Sequence, residues 1–359
     1  MNNRVGHTGD TRTSLSSHLK SLLGLCAGLA LTAYFLSSVN LDQVRHALAN
    51  IGYGIMMLAV LHAFSILLDS EGWNGILKYL REHLGRLWVA WTACQRNATQ
   101  TLVPVGASGF IAGYRVLYKH GVKTHAAIAS LICETTITTG VELALLLISA
   151  VAAFAGRWGV VQQRIFIYVP IVAIMVFALV MILFFQVRGE VFKRLSRWLL
   201  VIGPAADRHT RAIIPLRIKR DLRRLYRAPK VLMLVAVWQV FSLLAGAVSV
   251  WLTFALIHYR VSFAVAIFFL CLSRSIRSFG FLIPSAWGLQ EGLFLAFAPL
   301  AGVPAAFGIA VSLVLRVRDF IFAILVFIAG YFVRPPAGSK KLCDHVYGQP
   351  HDMAVGSDR

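Results

Sequence analysis

Charged and amide side chains lie inside segments of this sequence that are otherwise apolar enough to enter a lipid bilayer. An ionised side chain at the centre of a bilayer costs at least about 2.5–3.5 kcal/mol unless it is paired or hydrated. Their positions therefore predict a polar, substrate-binding site at membrane depth. The candidate residues are Arg96, Asn97, Arg115, Glu134, Glu142, Arg274, Arg277, Glu291, Arg316 and Asp319.

Helical spacing indicates which of these side chains share a face. Three groups recur every three or four residues: Arg274 with Arg277; Glu134 with Thr138 and Glu142; and Ser312 with Arg316 and Asp319. With Arg318 included, six arginines face four acids, which is a formal surplus of two positive charges. Because the planar guanidinium binds two phosphate oxygens at once, the surplus favours an anionic headgroup as ligand. The alternative, salt bridges that only tie helices together, stays open.

The elements that must carry these residues are transmembrane helices. Hydrophobic residues make up 58% of the 359 and charged residues 14%, with a mean hydropathy of +0.72. A soluble domain has about half apolar and a quarter charged residues, so the sequence predicts an all-α, polytopic membrane protein. About six apolar runs are long enough to cross the bilayer. They cover residues 20–38, 51–69, 126–155, 163–186, 231–257 and 304–332.

Two further apolar segments, 86–118 and 262–299, are each interrupted by a proline and several glycines. Proline breaks a helix, and glycine lets the chain turn and pack closely. The two segments align with each other, and Gly121-Val122 matches Gly302-Val303. The turn residues of the predicted hairpins also match: Pro104, Gly109 and Gly113 with Pro284, Gly288 and Gly292. The sequence thus predicts an inverted repeat of about 51–155 and 231–332 with two re-entrant hairpins.

Basic residues predict the orientation of the transmembrane domain, residues 20–332. With both hairpins re-entrant, twenty-five Lys and Arg lie on one side and four on the other. The positive-inside rule makes the first side cytoplasmic. It holds the N-terminal segment 1–19, the basic loop 187–230 and the tail 333–359. The same rule accounts for the net charge of +20, so nucleic acid is excluded as a partner. Cysteine and histidine spacing indicates no metal site, and no cofactor is expected.

The second hairpin carries a family resemblance. The run "FLIPSAWGLQEG", followed by "GVPAAFGIAVSLVLRVRD", resembles the lysylphosphatidylglycerol synthase transmembrane, or flippase-like, family of bacteria and archaea. Within that family it is most similar to the branch of hopanoid-biosynthesis-associated membrane proteins. The matching residues are Pro284, Gly288, Glu291, Gly292, Arg316 and Arg318 in the second hairpin, and Asn97, Pro104, Gly109 and Arg115 in the first. Phe110 stands where the family has an acid.

The resemblance implies a protein of the bacterial inner membrane that moves or handles lipids, with hopanoid-related lipids among the candidates. The leading hypothesis is a translocase, not an enzyme, whose partners are membrane lipids with an anionic headgroup. The first alternative is a membrane-embedded lipid-modifying enzyme, in which Glu291 and either Glu134 or Glu142 serve as acid and base. The second is an accessory factor of hopanoid or lipid biosynthesis, which leaves proteins of lipid biosynthesis open as partners.

Overall fold

The described part of the chain is helical throughout. The computed structural model describes Ala49 and residues 51–103, 108–154, 208–278 and 288–333. Its helices, numbered here in chain order, are α1 (Gly54–Tyr79), α2 (Arg86–Leu102), α3 (Ser108–Lys119), α4 (Thr124–Phe154), α5 (Arg208–Tyr226), α6 (Pro229–Leu256), α7 (Phe263–Ser278), α8 (Leu289–Phe297) and α9 (Ala305–Phe332). No strand occurs within these residues, which confirms the all-α prediction for them. The predictions outside the described residues are the spans 20–38 and 163–186, the segments 1–19 and 334–359, and the prolines Pro104 and Pro284.

Helices α1, α4 and α6 are each long and apolar enough to cross a bilayer. Their apolar stretches have 26, 29 and 28 residues, and a crossing of the hydrocarbon core takes about 20. They lie at the predicted spans 51–69, 126–155 and 231–257. Helix α9 has 28 residues as well, but three charged residues lie near its middle. These helices indicate that the chain is a multi-pass membrane protein.

Two pairs of short helices occupy the segments that prolines and glycines interrupt. In the first pair, α2 and α3 approach so closely that a Cβ on Gly109 would lie 3.0 Å from the carbonyl oxygen of Arg96. In the second pair, Gly288 has φ of +80°, a conformation that glycine adopts without strain. Helix α8 begins at the next residue. Residues 104–107 and 279–287, between the helices of each pair, lie outside the described residues.

The two halves of the described chain share one helix order and one set of turns. In both, a long helix is followed by two short helices and a second long helix, α1–α4 and α6–α9. The first long helices are followed by Arg81 (φ 62°) and His258 (φ 59°), the two described residues other than glycine with positive φ. The second long helices are preceded by Gly121 (φ 82°) and Gly302 (φ 73°). In each case the following valine N–H bonds to the carbonyl five residues earlier.

Helices α1 and α6 pack against each other in antiparallel orientation. A Cβ on Gly54, at the start of α1, would meet Leu256 at the end of α6. Near the other end of α1, Gly72 lies against Val235 at the start of α6. One short helix of each half packs on the last long helix of the other half: α2 packs on α9, and α7 packs on α4. Each half therefore completes part of the other's core.

The basic segment 187–230 contains a helix, α5, where the sequence analysis expects a loop. Helix α5 buries Ile214, Ile218 and Leu225 in the same hydrophobic cluster as α4. These positions lie on one helical face. These three residues pack α5 against α4, but they are separated by polar residues in the sequence. The segment therefore lacks the long apolar run that would have predicted a helix here.

Gly308 offers a test of the packing between α8 and α9. A Cβ at this position would lie 2.6 Å from the Cβ of Ala298 and 2.8 Å from the carbonyl oxygen of Phe294. Because backbone atoms cannot move aside cheaply, we expect Gly308→Ala to lower the free energy of unfolding by about 1–3 kcal/mol. Gly140→Ala is the matched control, since a Cβ there meets no atom within 4 Å. Alanine should stabilise that helical position by about 0.5–1 kcal/mol.

The measurement is the apparent unfolding temperature of the purified protein in detergent, followed by tryptophan fluorescence. Opposite shifts for the two variants are the expected result. If Gly308→Ala unfolds at the same temperature as the parent protein, the close contact between α8 and α9 is wrong.

Candidate functional site

The first arginine–carboxylate pair joins α2 to α4. Arg96 Nη1 lies 2.5 Å from Glu134 Oε2, and Arg96 Nη2 donates to the Thr135 hydroxyl at 3.2 Å. The Thr138 hydroxyl donates to the other Glu134 oxygen at 3.3 Å. The guanidinium also lies over the ring of Trp73, 5.7 Å from its centroid, at cation–π distance. Of the predicted stripe of Glu134, Thr138 and Glu142, the first member therefore faces α2 and the second is hydrogen-bonded to the first.

The second pair joins the two halves of the chain. Arg274 Nη1 on α7 lies 3.7 Å from Glu142 Oε1 on α4. Its Nη2 donates to the Ser65 hydroxyl on α1 at 3.0 Å. Ser65 in turn donates to the carbonyl of Ser242 on α6 at 2.9 Å. One guanidinium thus connects three helices directly and a fourth through a serine.

Asp69, on α1, is a carboxylate that the sequence analysis does not include. It interacts electrostatically with Arg96, Arg274, Glu134 and Glu142. The first two pairs and Asp69 therefore form one charged cluster. The predicted span 51–69 ends on this residue, and so the charge count of the membrane segments omits it.

The third pair joins α8 to α9 and is bidentate. Arg316 Nε and Nη2 donate to the two oxygens of Glu291, the second at 3.0 Å. Glu291 Oε2 also accepts the backbone N–H of Gly288 at 2.9 Å, which satisfies a free donor at the start of α8. The Ser312 hydroxyl donates to Glu291 Oε1 at 3.4 Å. Glu291 is thus both a helix cap and the counter-ion of Arg316.

A chain of side-chain hydrogen bonds leads from this pair to α7. Gln290 Nε2 donates to the Ser312 hydroxyl at 3.0 Å, and the Ser273 hydroxyl donates to Gln290 Oε1 at 3.2 Å. Ser273 precedes Arg274 in the chain. Helix α7 therefore touches both the Glu142 pair and the Glu291 pair.

A fourth arginine has a different environment. Arg318 Nε and Nη2 donate to Asp319 Oδ1 at 2.9 and 2.7 Å, and its Nη1 donates to the Ser249 hydroxyl on α6 at 3.0 Å. His62 Nε2 on α1 lies 3.5 Å from the same Asp319 oxygen. The predicted stripe of Ser312, Arg316 and Asp319 therefore divides: its first two members face Glu291, and Asp319 faces α1.

Exposure separates the first three arginines from the fourth. The side chains of Arg96, Arg274 and Arg316 are 20%, 17% and 14% exposed. Their carboxylate partners are 3%, 6% and 0% exposed. Arg318 is only 1% exposed. In three of the four pairs, the carboxylate lies behind a guanidinium that keeps an accessible surface.

The remaining predicted site residues have varied positions. Arg115 on α3 is exposed, and none of the described acids forms an ion pair with it. The Asn97 Oδ1 atom is buried and accepts no hydrogen bond from the described residues. Arg277 lies on α7, but its side chain is outside the described residues. Gly109 and Gly113 lie on α3 and Gly292 on α8.

The predicted surplus of two positive charges stays a prediction, because the side chain of Arg277 lies outside the described residues. Asp69 adds one carboxylate, and Arg115 is exposed elsewhere on the protein. The four described ion pairs and Asp69 together hold four guanidinium groups and five carboxylates: Arg96, Arg274, Arg316 and Arg318, with Asp69, Glu134, Glu142, Glu291 and Asp319. Among the described residues, no group of three or more His, Cys, Asp or Glu side chains is arranged to hold a metal ion.

Comparison with known families gives one match. The family model described as "Lysylphosphatidylglycerol synthase TM region" matches residues 21–326. The matched range contains all nine helices of the described chain apart from the last residues of α9. No curated protein matches the chain significantly.

Proposed function

The chain belongs to the lysylphosphatidylglycerol synthase transmembrane family, and from this premise we propose that it moves an amphipathic lipid between the leaflets of the membrane. The family gives a membrane protein with a lipid-related function. The geometry of the candidate site suggests which part of the lipid the protein would bind. We propose that the headgroup lies against the arginine cluster while the acyl chains stay in the bilayer.

The exposure of the three arginines is the observation that carries this proposal. A carboxylate buried behind each of Arg96, Arg274 and Arg316 lowers the cost of holding the guanidinium in the membrane. It also fixes the orientation of the planar group. The accessible surface of each arginine then meets a ligand, and phosphate suits it because guanidinium donors match phosphate oxygens. A purely structural pair needs no exposed surface, as Arg318 illustrates.

The correspondence between the two halves supports alternating access as the mechanism. We propose that α1–α4 and α6–α9 form an inverted repeat, with α2–α3 and α7–α8 as re-entrant hairpins. The antiparallel packing of α1 on α6 and the equivalent turns at Gly121 and Gly302 are what such a repeat requires. Rocking of one half against the other would expose the arginines to each leaflet in turn.

Orientation and lipid class complete the proposal. The bias of Lys and Arg in the sequence favours cytoplasmic termini in a bacterial inner membrane. The resemblance of the second hairpin to the hopanoid-associated branch favours a lipid of a hopanoid-producing membrane. The three accessible arginines favour a phosphate-bearing lipid over the hopanoid itself, which carries little charge.

Translocation in proteoliposomes tests the function. Lipids with a fluorescent acyl label are placed in both leaflets, and a membrane-impermeant reductant bleaches only the outer one. With the purified protein present, we expect the protected inner half of labelled phosphatidylglycerol to become accessible faster than that of phosphatidylcholine. Equal rates with and without protein would overturn the proposal.

The same samples separate a translocase from a lipid-modifying enzyme. Glu291 accepts hydrogen bonds from Gly288, Ser312 and Arg316, so both of its oxygens already have donors within the protein and it is poorly placed to act as acid or base on a substrate. We therefore propose that the protein is not an enzyme. Mass spectrometry of the lipids after incubation should show no new species. A covalently altered lipid would favour the enzymatic alternative.

A further inference from the structure

Helix α5 has one face buried against the bundle and one face that is almost wholly basic. Ile214, Ile218, Asp221 and Leu225 are buried. Among the side chains of α5 that the structure describes, the exposed cations lie outside this stripe, and they are Arg217, Lys219, Arg220, Arg223 and Arg224. The basic face of α5, defined by these five residues, also contains Leu216, which is 69% exposed.

The single acid of α5 points inward. Asp221 Oδ2 lies 2.6 Å from Nδ1 of His125 on α4, and its other oxygen lies 3.8 Å from Arg220 Nε. A second contact with the same helix comes from Tyr226, whose hydroxyl donates to Thr136 at 3.4 Å. Because its only carboxylate is used for docking on α4, the helix presents no acid to the outside.

The basic face lies at one particular end of the helical bundle. The hydrophobic cluster that holds Ile214 and Ile218 also holds Leu80, Leu84 and Val122, from the turns between α1 and α2 and between α3 and α4. Those turns and the adjacent helix ends carry five more exposed cations: Lys78, Arg81, Arg86, Lys119 and Lys123. The corresponding turns of the second half, 257–262 and 298–304, lie at the other end of the bundle. They contain a single Lys or Arg, which is Arg260.

We propose that the basic face of α5 binds the headgroups of anionic phospholipids, at a site separate from the arginine cluster. An amphipathic segment with cations beside a transmembrane bundle lies at the level of the headgroups and is attracted to anionic lipid. The exposed Leu216 within this face favours a lipid surface over a nucleic acid or an acidic protein, because a leucine gains by entering the acyl boundary. The proposal does not depend on translocation.

Lipid binding at this face would also act on the candidate site. Headgroups that hold α5 in place support its contacts with His125 and Thr136 on α4, and α4 carries Glu134 and Glu142. Bound anionic lipid would therefore stabilise the bundle at the end where α5 lies.

Thermal unfolding of the full-length protein in neutral detergent tests the proposal. Phosphatidylglycerol or phosphatidylcholine is added to the micelles, and the apparent unfolding temperature is measured. We expect phosphatidylglycerol to raise it by several degrees more than phosphatidylcholine does. The difference should shrink as salt is added, because salt screens exposed charges.

Two variants locate the effect. The triple variant Arg220→Gln, Arg223→Gln, Arg224→Gln should lose at least half of the difference between the two lipids, and Arg260→Gln, an exposed arginine at the other end, should keep it. Equal stabilisation of the parent protein by both lipids, or a difference that salt does not reduce, would overturn the proposal even if the triple variant fails to fold. Stronger stabilisation by polyglutamate than by phosphatidylglycerol would also overturn it, in favour of a soluble acidic partner.

Discussion

Replacing Glu291 with glutamine is expected to lower the free energy of unfolding by about 3–5 kcal/mol, the range for removing one partner of a buried ion pair. Glu291 is fully buried and receives two hydrogen bonds from Arg316. Glutamine keeps the size of the side chain but removes its charge, so the mostly buried guanidinium of Arg316 loses the carboxylate that binds it through two hydrogen bonds. The amide also has one acceptor oxygen fewer for the Gly288 N–H at the start of α8.

The control for this prediction is an exposed pair of the same chemistry. Glu71 Oε2 lies 4.0 Å from Arg86 Nε, and both side chains are accessible. We expect Glu71→Gln to cost less than about 1 kcal/mol, as exposed pairs generally do. Titration of the unfolding equilibrium with a denaturing detergent measures both variants. If the two cost the same, Glu291 is not the buried counter-ion described here.

A double variant separates the lost charge pair from the lost cap. Removing both charges with Glu291→Gln and Arg316→Gln leaves no unpaired ion, so part of the stability should return. The stability that remains lost measures the contribution of the cap at Gly288 and the hydrogen bond from Ser312. A double variant less stable than Glu291→Gln alone would mean that Arg316 stabilises the fold through other partners.

Helical periodicity predicts some of the shared faces of the site but not the partners across helices, since Asp319 faces a different helix from Ser312 and Arg316. The spacing of Glu134 and Thr138, and of Ser312 and Arg316, places each pair on one face. In the structure Thr138 donates a hydrogen bond to Glu134, and Ser312 and Arg316 both donate to Glu291. Periodicity within one helix carries no information about which other helix lies opposite. The pairing of Arg274 with a residue on α4 joins positions more than a hundred residues apart, and no local pattern encodes it.

The misplaced residues have a common physical cause. A hydropathy window reports the mean of many residues, so a single acid at the end of an apolar run, such as Asp69 at the end of the predicted span 51–69, is easily left out of the count of membrane charges. In the same way, α5 reads as a loop, because its three buried apolar residues are outweighed by the cations on the opposite face. Arg115 is a residue that the sequence placed in the site and the structure does not. It follows a predicted hairpin turn, but its position on α3 leaves its side chain exposed.

Exposure, more than charge count, separates the three arginines that we propose to bind the headgroup from the buried Arg318. Among the described side chains, four arginines lie with five carboxylates, so the charge count of these residues alone gives no preference for an anionic ligand. The proposed preference rests on geometry: the carboxylate partners of Arg96, Arg274 and Arg316 are buried, whereas these three guanidinium groups keep an accessible surface. A ligand approaching from the accessible side meets positive charge first, since Coulomb energy falls with distance.

Substitution of Arg274 tests this distinction, and we expect Arg274→Gln to slow the translocation of phosphatidylglycerol by about ten- to a hundredfold. A hydrogen bond to a charged group contributes about 1.5–3 kcal/mol, and each 1.4 kcal/mol corresponds to a factor of about ten in rate. Arg274→Lys keeps the positive charge but lacks the planar guanidinium that binds two oxygens at once, so its translocation rate should lie between those of the parent protein and Arg274→Gln. Arg260→Gln, at an exposed turn, is the control and should translocate normally.

The single substitution also leaves Glu142 without its ion pair, so a loss of rate can reflect repulsion of the headgroup or misfolding rather than a missing donor. The pair variant Arg274→Gln with Glu142→Gln removes both charges and restores the net charge of the cluster. If Arg274 binds the headgroup, this variant should remain slow for phosphatidylglycerol although its unfolding temperature recovers. Arg274 acts only as a tie between α7 and α4 if the pair variant regains the full rate, or if phosphatidylcholine and phosphatidylglycerol are slowed equally.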